Sequence, residues 1–198
     1  RPFHTMHMHK AYLTNQTFDK SDFTRNPIPN ADFEACCFTH SNFSDTDLSG
    51  YNFTDYIFED CNISTARIVQ TTFNEVVFRN CKMLGLHFET ANEFLFTVSF
   101  ENCNLNLCSF YQRKMKKNLF NHCSLQEADF TETNLTAAIF SNCDLQDAKF
   151  DHSNLEKADL RTSFNYSIDP EVNKIKKGKF SLPSVIRLLD KYDIIVEQ

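Results

Sequence analysis

The sequence predicts an all-β solenoid, in which short strands wind around a narrow interior in four-sided turns. Three observations support this fold class. Large apolar residues recur at every fifth position, the residue two places earlier is usually small, and a second period of twenty residues is superimposed on the first. An α-helix needs apolar spacings of three and four, and an ordinary strand needs a spacing of two. A period of five fits neither of these elements.

The five-residue period runs from Met8 to Phe88, slips by two residues within 89–94, and continues from Leu95 to Leu160. We expect a small outward bulge at the slip, with Ala91 and Asn92 at its tip. Four repeats make one turn, because equivalent segments twenty residues apart read FEDCNI, FRNCKM, FENCNL, FNHCSL and FSNCDL. Parallel ladders about 4.8 Å apart would stack about eight such turns into a rod.

Each turn therefore has four sides, which we name by their central apolar residues. Side 1 contains Leu13, Phe33, Phe53 and Phe73; side 2 contains Phe18, Phe38, Phe58, Phe78, Phe100, Phe120 and Phe140; side 3 contains Phe23, Phe43, Ile63, Met83, Leu105, Leu125 and Leu145; side 4 contains Ile28, Leu48, Ile68, Phe88, Phe110, Phe130 and Phe150. The predicted core ladder consists of Phe58, Phe78, Phe100, Phe120 and Phe140 together with Cys61, Cys81, Cys103, Cys123 and Cys143.

The eight cysteines are expected to be buried, reduced thiols. Seven of them occupy the small inward position, and only Cys37 does not. Stacked cysteines come within disulfide range at their Cα atoms, but parallel Cβ directions hold their Cβ atoms too far apart. The spacing follows the core and not a metal-ligand pattern. Reduced thiols indicate a reducing compartment, most simply the cytoplasm.

These repeats resemble the pentapeptide-repeat family. Its motif of a small residue, Asp or Asn, and Leu or Phe is present as AlaAspPhe at 31–33 and 128–130, and as AlaAspLeu at 158–160. The resemblance covers residues 8–164 and implies a right-handed quadrilateral parallel β-helix. Because the chain has only three glycines, we expect corner turns that avoid positive φ.

The repeat is flanked by two other segments. Residues 1–7 form an N-terminal extension, and residues 165–198 form a C-terminal cap and dimerisation helix. The cap begins with a polar, Lys-rich stretch and continues into a predicted short α-helix of two to three turns. Residues 194–196 could add a last strand. The apolar stripe of the helix is formed by Leu182, Val185, Ile186, Leu188, Leu189 and Tyr192.

That stripe predicts a homodimer. The last turn of a solenoid exposes its apolar interior, so we expect the helix to cover it. The stripe is broad enough to contact the same helix of a second copy as well. The alternative is an intramolecular cap on a monomer.

Outward-facing charges are unevenly distributed among the sides. Side 1 carries Lys114, Lys116 and Lys117, next to Arg113 at a position that should be small, so we expect the turn to bulge there. Side 2 carries an outward apolar row, interpreted either as strand packing or as a contact strip for a partner. Sides 3 and 4 carry the acidic residues that we predict to bind a partner: Asp45, Asp47, Glu127, Asp129, Glu132, Asp144, Asp147 and Asp151.

No catalytic residues, cofactor or metal are predicted. His4, His7 and His9 could bind a metal, but an exposed terminus explains them more simply. His40, His122 and His152 lie at outward positions, and the cysteines point inward, so we expect no enzymatic activity. No signal peptide or membrane span is predicted. The net charge of −6 argues against direct nucleic-acid binding. Membranes and small-molecule substrates are not expected as partners.

The resemblance extends to the Qnr-type quinolone-resistance proteins and a related mycobacterial gyrase inhibitor. These rods imitate duplex DNA and bind bacterial type II topoisomerases. The similarity implies DNA gyrase or topoisomerase IV as a partner and a role in quinolone protection. Three features differ: the interruption is only two residues long, the modest net charge is broken by the basic segment RKMKK at 113–117, and a Lys-rich segment precedes the final helix. A passive protein–protein interaction scaffold with another partner is the alternative.

Overall fold

A computed structural model describes residues 10–197, so the predicted extension at 1–7 and His4, His7 and His9 lie outside the described residues. The chain forms a parallel β-solenoid of about seven turns, compared with the expected eight, and ends in one short helix. The strands are β1 (Ala11–Thr14), β2 (Thr17–Asp19), β3 (Ala31–Glu34), β4 (Cys37–Thr39), β5 (Asn52–Glu59), β6 (Thr72–Arg79), β7 (Val98–Glu101), β8 (Leu119–Asn121) and β9 (Ile139–Ser141).

Each strand pairs in parallel with the equivalent strand of the next turn. The register is twenty residues in most of the ladder, so Phe38 aligns with Phe58 and Phe58 with Phe78. Across the interruption the register becomes twenty-two, and Phe78 aligns with Phe100. On sides 3 and 4, successive turns are joined by isolated parallel bridges with the same register. The two extra residues are therefore absorbed locally, and the ladder continues in phase.

Phenylalanine fills the interior in two columns. On side 2, Phe58, Phe78, Phe100, Phe120 and Phe140 stack with ring centroids 4.8–5.5 Å apart and near-parallel planes. On side 4, Phe88, Phe110, Phe130 and Phe150 stack 4.9–5.1 Å apart. The two columns meet edge to face, the geometry that the charge distribution of aromatic rings favours. Between these two columns, side 3 is lined by Phe23 and Phe43 in the first turns and by smaller apolar residues from Ile63 onward.

The expectation that the corners avoid positive φ is wrong. The second residue after most central apolar residues has φ near +50° to +60°, as at Asp45, Thr65, Leu107 and Ala137. On sides 3 and 4 these corners form hydrogen-bonded turns with positive φ at the third position, as in type II turns. The corner N–H also joins the ladder; Asp45 N, for example, donates to Ser64 O at 3.1 Å. Stacking of turns thus compensates for a conformation that glycine would adopt without strain.

The ladder extends beyond the expected boundary at residue 164. Leu155 N donates to Lys174 O and Leu160 N to Lys179 O, so the Lys-rich stretch is part of the solenoid. The five-residue period skips two positions and resumes at Ile175 and Phe180, both packed against the core. That resumption was a signal in the sequence that the predicted boundary missed.

The C-terminal helix α1 (Leu182–Val185) is shorter than predicted. It passes directly into a 3-10 helix, Ile186–Tyr192, which ends at Asp193 with a positive φ. The predicted last strand at 194–196 is absent, because these residues have no ladder partner and are exposed. None of the helices within residues 10–197 is long and apolar enough to cross a lipid bilayer.

Candidate partner-binding surfaces

Six of the predicted acidic residues lie together on sides 3 and 4. We call them the acidic cluster: Glu127, Asp129 and Glu132 from one turn, and Asp144, Asp147 and Asp151 from the next. All six are exposed or half-buried. Six carboxylates, less the one lysine that lies among them, leave five net negative charges over two turns of about 4.8 Å each, roughly one per 1.9 Å, compared with about one per 1.7 Å along duplex DNA. Lys149 is the cation that lies among them.

Hydrogen bonds hold several of these carboxylates in place. Asp144 accepts from Gln126 Nε2 at 2.7 Å and from Asn165 Nδ2 at 2.9 Å. Burial acts to raise its pKa, but these bonds outweigh burial and bring the pKa of Asp144 below its usual range. Glu132 accepts from Gln112 Nε2 at 2.7 Å. The charges are therefore fixed on a rigid surface, which lowers the entropic cost of binding.

The other two acidic residues, Asp45 and Asp47, are separated from the acidic cluster. They lie four turns away on the same sides, and the exposed cations Arg67 and Lys82 lie between the two groups. Asp45 and Asp47 border an open cavity of about 650 Å³, and Tyr51, which also lines it, donates from its hydroxyl to Ile28 O at 3.0 Å. The acidic sides are thus two separate regions and not one continuous strip.

The outward apolar row on side 2 becomes more exposed towards the C-terminal end. Ile57 and Val77 are half-buried between the paired strands β5 and β6. Leu119 and Ile139 are 42% and 44% exposed. A shallow cavity of about 300 Å³ lies beside Ile139 and Arg161. Strand packing therefore accounts for the first half of the row, and the second half is an exposed apolar surface.

The interruption differs from the expected bulge. Ala91 is buried, and Asn92 donates from its backbone N to Thr71 O. The tip is formed instead by Phe94 and Leu95, which are 74% and 68% exposed. Phe96, one residue after Leu95, packs against the core. The two-residue insertion thus shifts the inward position from the predicted Leu95 to Phe96. The five-residue spacing alone could not define this shift.

Arg113 does not cause a bulge in its own turn. Its backbone keeps the regular pattern, because Arg113 N donates to Phe110 O and Arg113 O accepts from Asn134 N. The side chain is 94% buried above the interruption, where one guanidinium nitrogen donates to Asn92 O at 2.8 Å. The guanidinium carbon lies 4.2 Å from the centre of the Phe96 ring. Burial lowers the pKa of Arg113. The arginine fills space that the insertion opens.

The cysteines occupy the predicted positions. All eight are free thiols; seven are buried and Cys37 is half-buried. On side 3 four of the five buried thiols donate to a carbonyl of the preceding turn, as Cys81 Sγ does to Phe58 O at 3.3 Å, whereas Cys123 Sγ donates to Asn121 O of its own turn. Burial raises the pKa of Cys108 to about 12 and also raises the pKa of Cys37. These thiols serve as core residues and are poorly suited to nucleophilic chemistry.

The predicted cap stripe divides into buried and exposed parts. Leu188 packs against the core, whereas Leu182 is 90% exposed and Val185 is 37% exposed. Because residues three apart eclipse in a 3-10 helix, Ile186, Leu189 and Tyr192 line up on one partly exposed face. Lys191 binds Asp169 and Glu171, and the Tyr192 hydroxyl donates to Glu171 at 2.6 Å, so the helix is fixed across the end of the rod.

His40, His122 and His152 lie at exposed corners, in agreement with their predicted outward positions, whereas the exposed His87 lies in a ladder bridge with Ser109. His40 lies between Asp19 at 2.9 Å and Asp60 at 3.4 Å, and His152 contacts Asp151. Among residues 10–197, no three His, Cys, Asp or Glu side chains are grouped closely enough to hold a metal ion.

Comparison with known proteins identifies the class to which this chain belongs. A family model for the pentapeptide repeat region matches residues 93–164, and a model for eight copies of the pentapeptide repeat matches residues 7–50. The chain belongs to the pentapeptide-repeat family. No curated protein gives a significant sequence match.

Its solved structural neighbours share this fold at low sequence identity. A trypsin-treated variant of QnrB1, a plasmid-mediated fluoroquinolone resistance protein, is 17% identical with a TM-score of 0.72, covering 96% of this chain and 100% of that one. A second such variant is 18% identical, with a TM-score of 0.63 and coverages of 94% and 100%. HetL, a pentapeptide-repeat protein involved in heterocyst differentiation regulation in the cyanobacterium Nostoc sp. strain PCC 7120, is 18% identical, with a TM-score of 0.53 and 87% of each chain covered.

Proposed function

We propose that this chain is a non-enzymatic binding protein that imitates duplex DNA and binds a bacterial type II topoisomerase, DNA gyrase or topoisomerase IV. The acidic cluster is the observation that carries the proposal, because its charge density along the rod approaches that of a DNA duplex. The likeness of the fold to that of QnrB1, a fluoroquinolone resistance protein, supports the choice of partner class.

The rigidity of the rod contributes to this function. A protein surface that replaces DNA must present fixed charges, since flexible side chains would lose entropy on binding. Stacked turns fix the spacing of the backbone, and hydrogen bonds orient Asp144 and Glu132. The resulting negative potential would steer the rod towards a basic DNA-binding groove.

A gyrase supercoiling assay, run with and without a fluoroquinolone at micromolar protein, tests the proposal. We expect the chain either to inhibit supercoiling or to protect it from the drug. The variant Glu127→Gln/Glu132→Gln/Asp147→Asn removes three exposed charges without changing side-chain size, and it should weaken the effect at least tenfold.

A matched control removes three charges from side 1. The variant Glu34→Gln/Asp55→Asn/Glu75→Gln has the same net charge but leaves the acidic cluster intact, so it should behave as wild type. Equal losses in both variants would attribute the effect to net charge alone, and no effect of the wild type on gyrase or topoisomerase IV would refute the proposal.

We further propose that the chain forms a two-fold dimer through its C-terminal helix. The aligned face of Ile186, Leu189 and Tyr192 is 37–49% exposed. A symmetric contact would bury this face twice, and each large apolar side chain gives roughly 1.5–3 kcal/mol when fully buried.

Light scattering at tens of micromolar protein tests the dimer. Wild type should weigh about twice the 23.1 kDa of one chain. Ile186→Asp/Leu189→Asp should give the monomer, and Arg187→Asp, which adds an acid to the same helix without removing apolar surface, should remain dimeric. A monomeric wild type would leave the helix as an intramolecular cap.

A passive interaction scaffold is the second candidate function. The exposed part of the side 2 row, Leu119 and Ile139, favours it because this surface is apolar and lies away from the acidic cluster. Leu119→Ser/Ile139→Ser should leave gyrase effects unchanged under the first proposal. The scaffold function would be supported if the wild type has no effect on either topoisomerase and if Leu119→Ser/Ile139→Ser abolishes binding to a cellular partner.

A further inference from the structure

Two lysine-rich segments that are sixty residues apart in sequence lie on the same side of the solenoid, side 1. The ladder runs from Lys114 through Asn134 and Asn154 to Lys174, so residues 113–117 and 173–177 are three turns apart on the same side. At about 4.8 Å per turn this separation is about 14 Å. We call the resulting surface the basic face, and its members are Lys114, Lys116, Lys117, Lys157, Lys174, Lys176 and Lys177.

All seven lysines are exposed, and none makes an ion pair within residues 10–197. Within residues 113–117, 133–137, 153–157 and 173–177, Glu156 is the one acid at an outward position, and the exposed Glu93 precedes Phe94 at the interruption. The positions between the two lysine layers include Asn134, Thr136 and Ala137. A cleft of about 240 Å³ lies between Lys157, Lys176 and Lys177 beside Glu156. A chain with a net charge of −6 thus carries a compact positive surface with its charges uncompensated.

An exposed apolar pair borders the basic face. Phe94 and Leu95 form the tip of the interruption on side 1, one turn below Lys114, Lys116 and Lys117. They are 74% and 68% exposed, and two adjacent large apolar side chains with this exposure form an apolar patch. Projecting apolar residues beside a cluster of lysines fit an interface that is apolar inside and negatively charged at its surface.

We propose that side 1 docks on an anionic lipid membrane through the basic face, with Phe94 and Leu95 inserted among the headgroups. A side of the solenoid is flat, so all seven lysines can approach a planar surface together. Each lysine near an anionic leaflet contributes about 1 kcal/mol, which corresponds to roughly a fivefold gain in partitioning. This contact lies opposite side 3, so it leaves much of the acidic cluster accessible.

The same features favour a membrane over a nucleic acid. Nucleic-acid surfaces of this kind interleave several aromatic rings that stack on bases, whereas this tip supplies one ring and an aliphatic leucine. The exposed cations of the face are all lysines, which act as point charges, and the bidentate arginines that grip phosphates are absent from it. The N-terminal half of side 1 carries Glu34, Asp55 and Glu75, which anionic lipids would repel, so the rod should lie tilted with its C-terminal half towards the membrane.

Vesicle sedimentation with the full chain tests this proposal. We expect binding to phosphatidylcholine vesicles that contain about one-third phosphatidylserine, and none to phosphatidylcholine alone. Lys114→Glu/Lys116→Glu/Lys117→Glu should lower partitioning at least about 100-fold. Phe94→Ser/Leu95→Ser should retain weaker binding that a moderate rise in salt abolishes. Thermal melts followed by circular dichroism confirm that each variant is folded.

The matched control is Arg67→Glu/Lys82→Glu/Lys149→Glu, which changes the net charge equally on sides 3 and 4 and should bind vesicles almost as well as wild type. Absence of binding to anionic vesicles at physiological salt would overturn the proposal. Equal losses in both triple variants, or binding to a labelled DNA duplex through the same lysines without vesicle binding, would also overturn it.

Discussion

Single residues at the corners bear the conformational strain of the repeat. Ordinary L-residues such as Thr65, Leu107 and Ala137 adopt positive φ, which brings the Cβ atom close to the backbone. The sequence could not indicate this, because the corner positions hold many residue types and few glycines. The hydrogen bond from each corner to the next turn decides the conformation, and that bond exists only in the stacked solenoid.

Neighbouring alanines provide a test of this strain. Ala137 has φ of +57° and is half-buried, whereas Ala138 is fully buried and faces the interior. Ala137→Gly should leave the free energy of unfolding unchanged or raise it by up to about 1 kcal/mol, since glycine relieves the strain. Ala138→Gly should lower it by about 1–2 kcal/mol through a lost methyl contact and added chain entropy. Urea unfolding measures both, and equal destabilisation would contradict the assignment of strain.

The thiols give a second prediction at this scale. Titration of the native protein with a thiol reagent should modify Cys37 slowly and the other cysteines hardly at all, because the other seven are buried out of reach of the reagent. In denaturant without reductant all eight should react. A lower count in denaturant would reveal disulfides, and rapid reaction of several native thiols would show that the interior opens.

At the scale of elements, the interruption shows how far the period could be used. The five-residue spacing located the inward positions on either side of it, since every turn repeats the same geometry. It placed Leu95 inward, but the structure places Phe96 there. An insertion of two residues has several ways to rejoin the ladder, and the contact of Phe96 with Arg113, distant in sequence, selects among them.

Arg113 should therefore hold the interruption closed. In Arg113→Ala, Asn92 loses a hydrogen bond and Phe96 loses the guanidinium above its ring. We expect chymotrypsin to cleave after Phe94 several times faster than in wild type. Lys114→Ala, the neighbouring exposed position, is the control and should be cleaved at the wild-type rate. Unchanged cleavage of Arg113→Ala would show that the insertion is stable without the arginine.

The C-terminal end shows a different limit of sequence reasoning. The apolar spacing identified the residues of the C-terminal helix but not its 3-10 geometry. In the structure, Lys191 and Tyr192 of this helix bond to Asp169 and Glu171, and the spacing does not encode these contacts. The ladder over 165–180 was missed because Tyr166 and Ile168 replace the expected inward positions on that turn. The lysines in this stretch lie on the outside of a solenoid turn, so their charge did not exclude the fold.

For the whole molecule, a register of twenty residues, which becomes twenty-two only across the interruption, converts sequence spacing into surface patterns. Residues twenty apart fall on one side, so the acidic cluster on sides 3 and 4 was predictable in position. Its division from Asp45 and Asp47 by Arg67 and Lys82 follows from the same register, as does the assembly of the basic face from two distant segments. The register does not encode which partners bind these surfaces. The choice of partner depends on the charge and shape of each surface.

Competition between the chain and a DNA duplex for gyrase tests the DNA-mimic proposal most directly. The chain should bind labelled gyrase, and an unlabelled duplex should displace it with purely competitive behaviour, because both would occupy one basic groove. Glu127→Gln/Glu132→Gln/Asp147→Asn should need at least tenfold more protein to compete. Simultaneous binding of chain and duplex, or no binding to gyrase or topoisomerase IV at micromolar concentrations, would contradict the account.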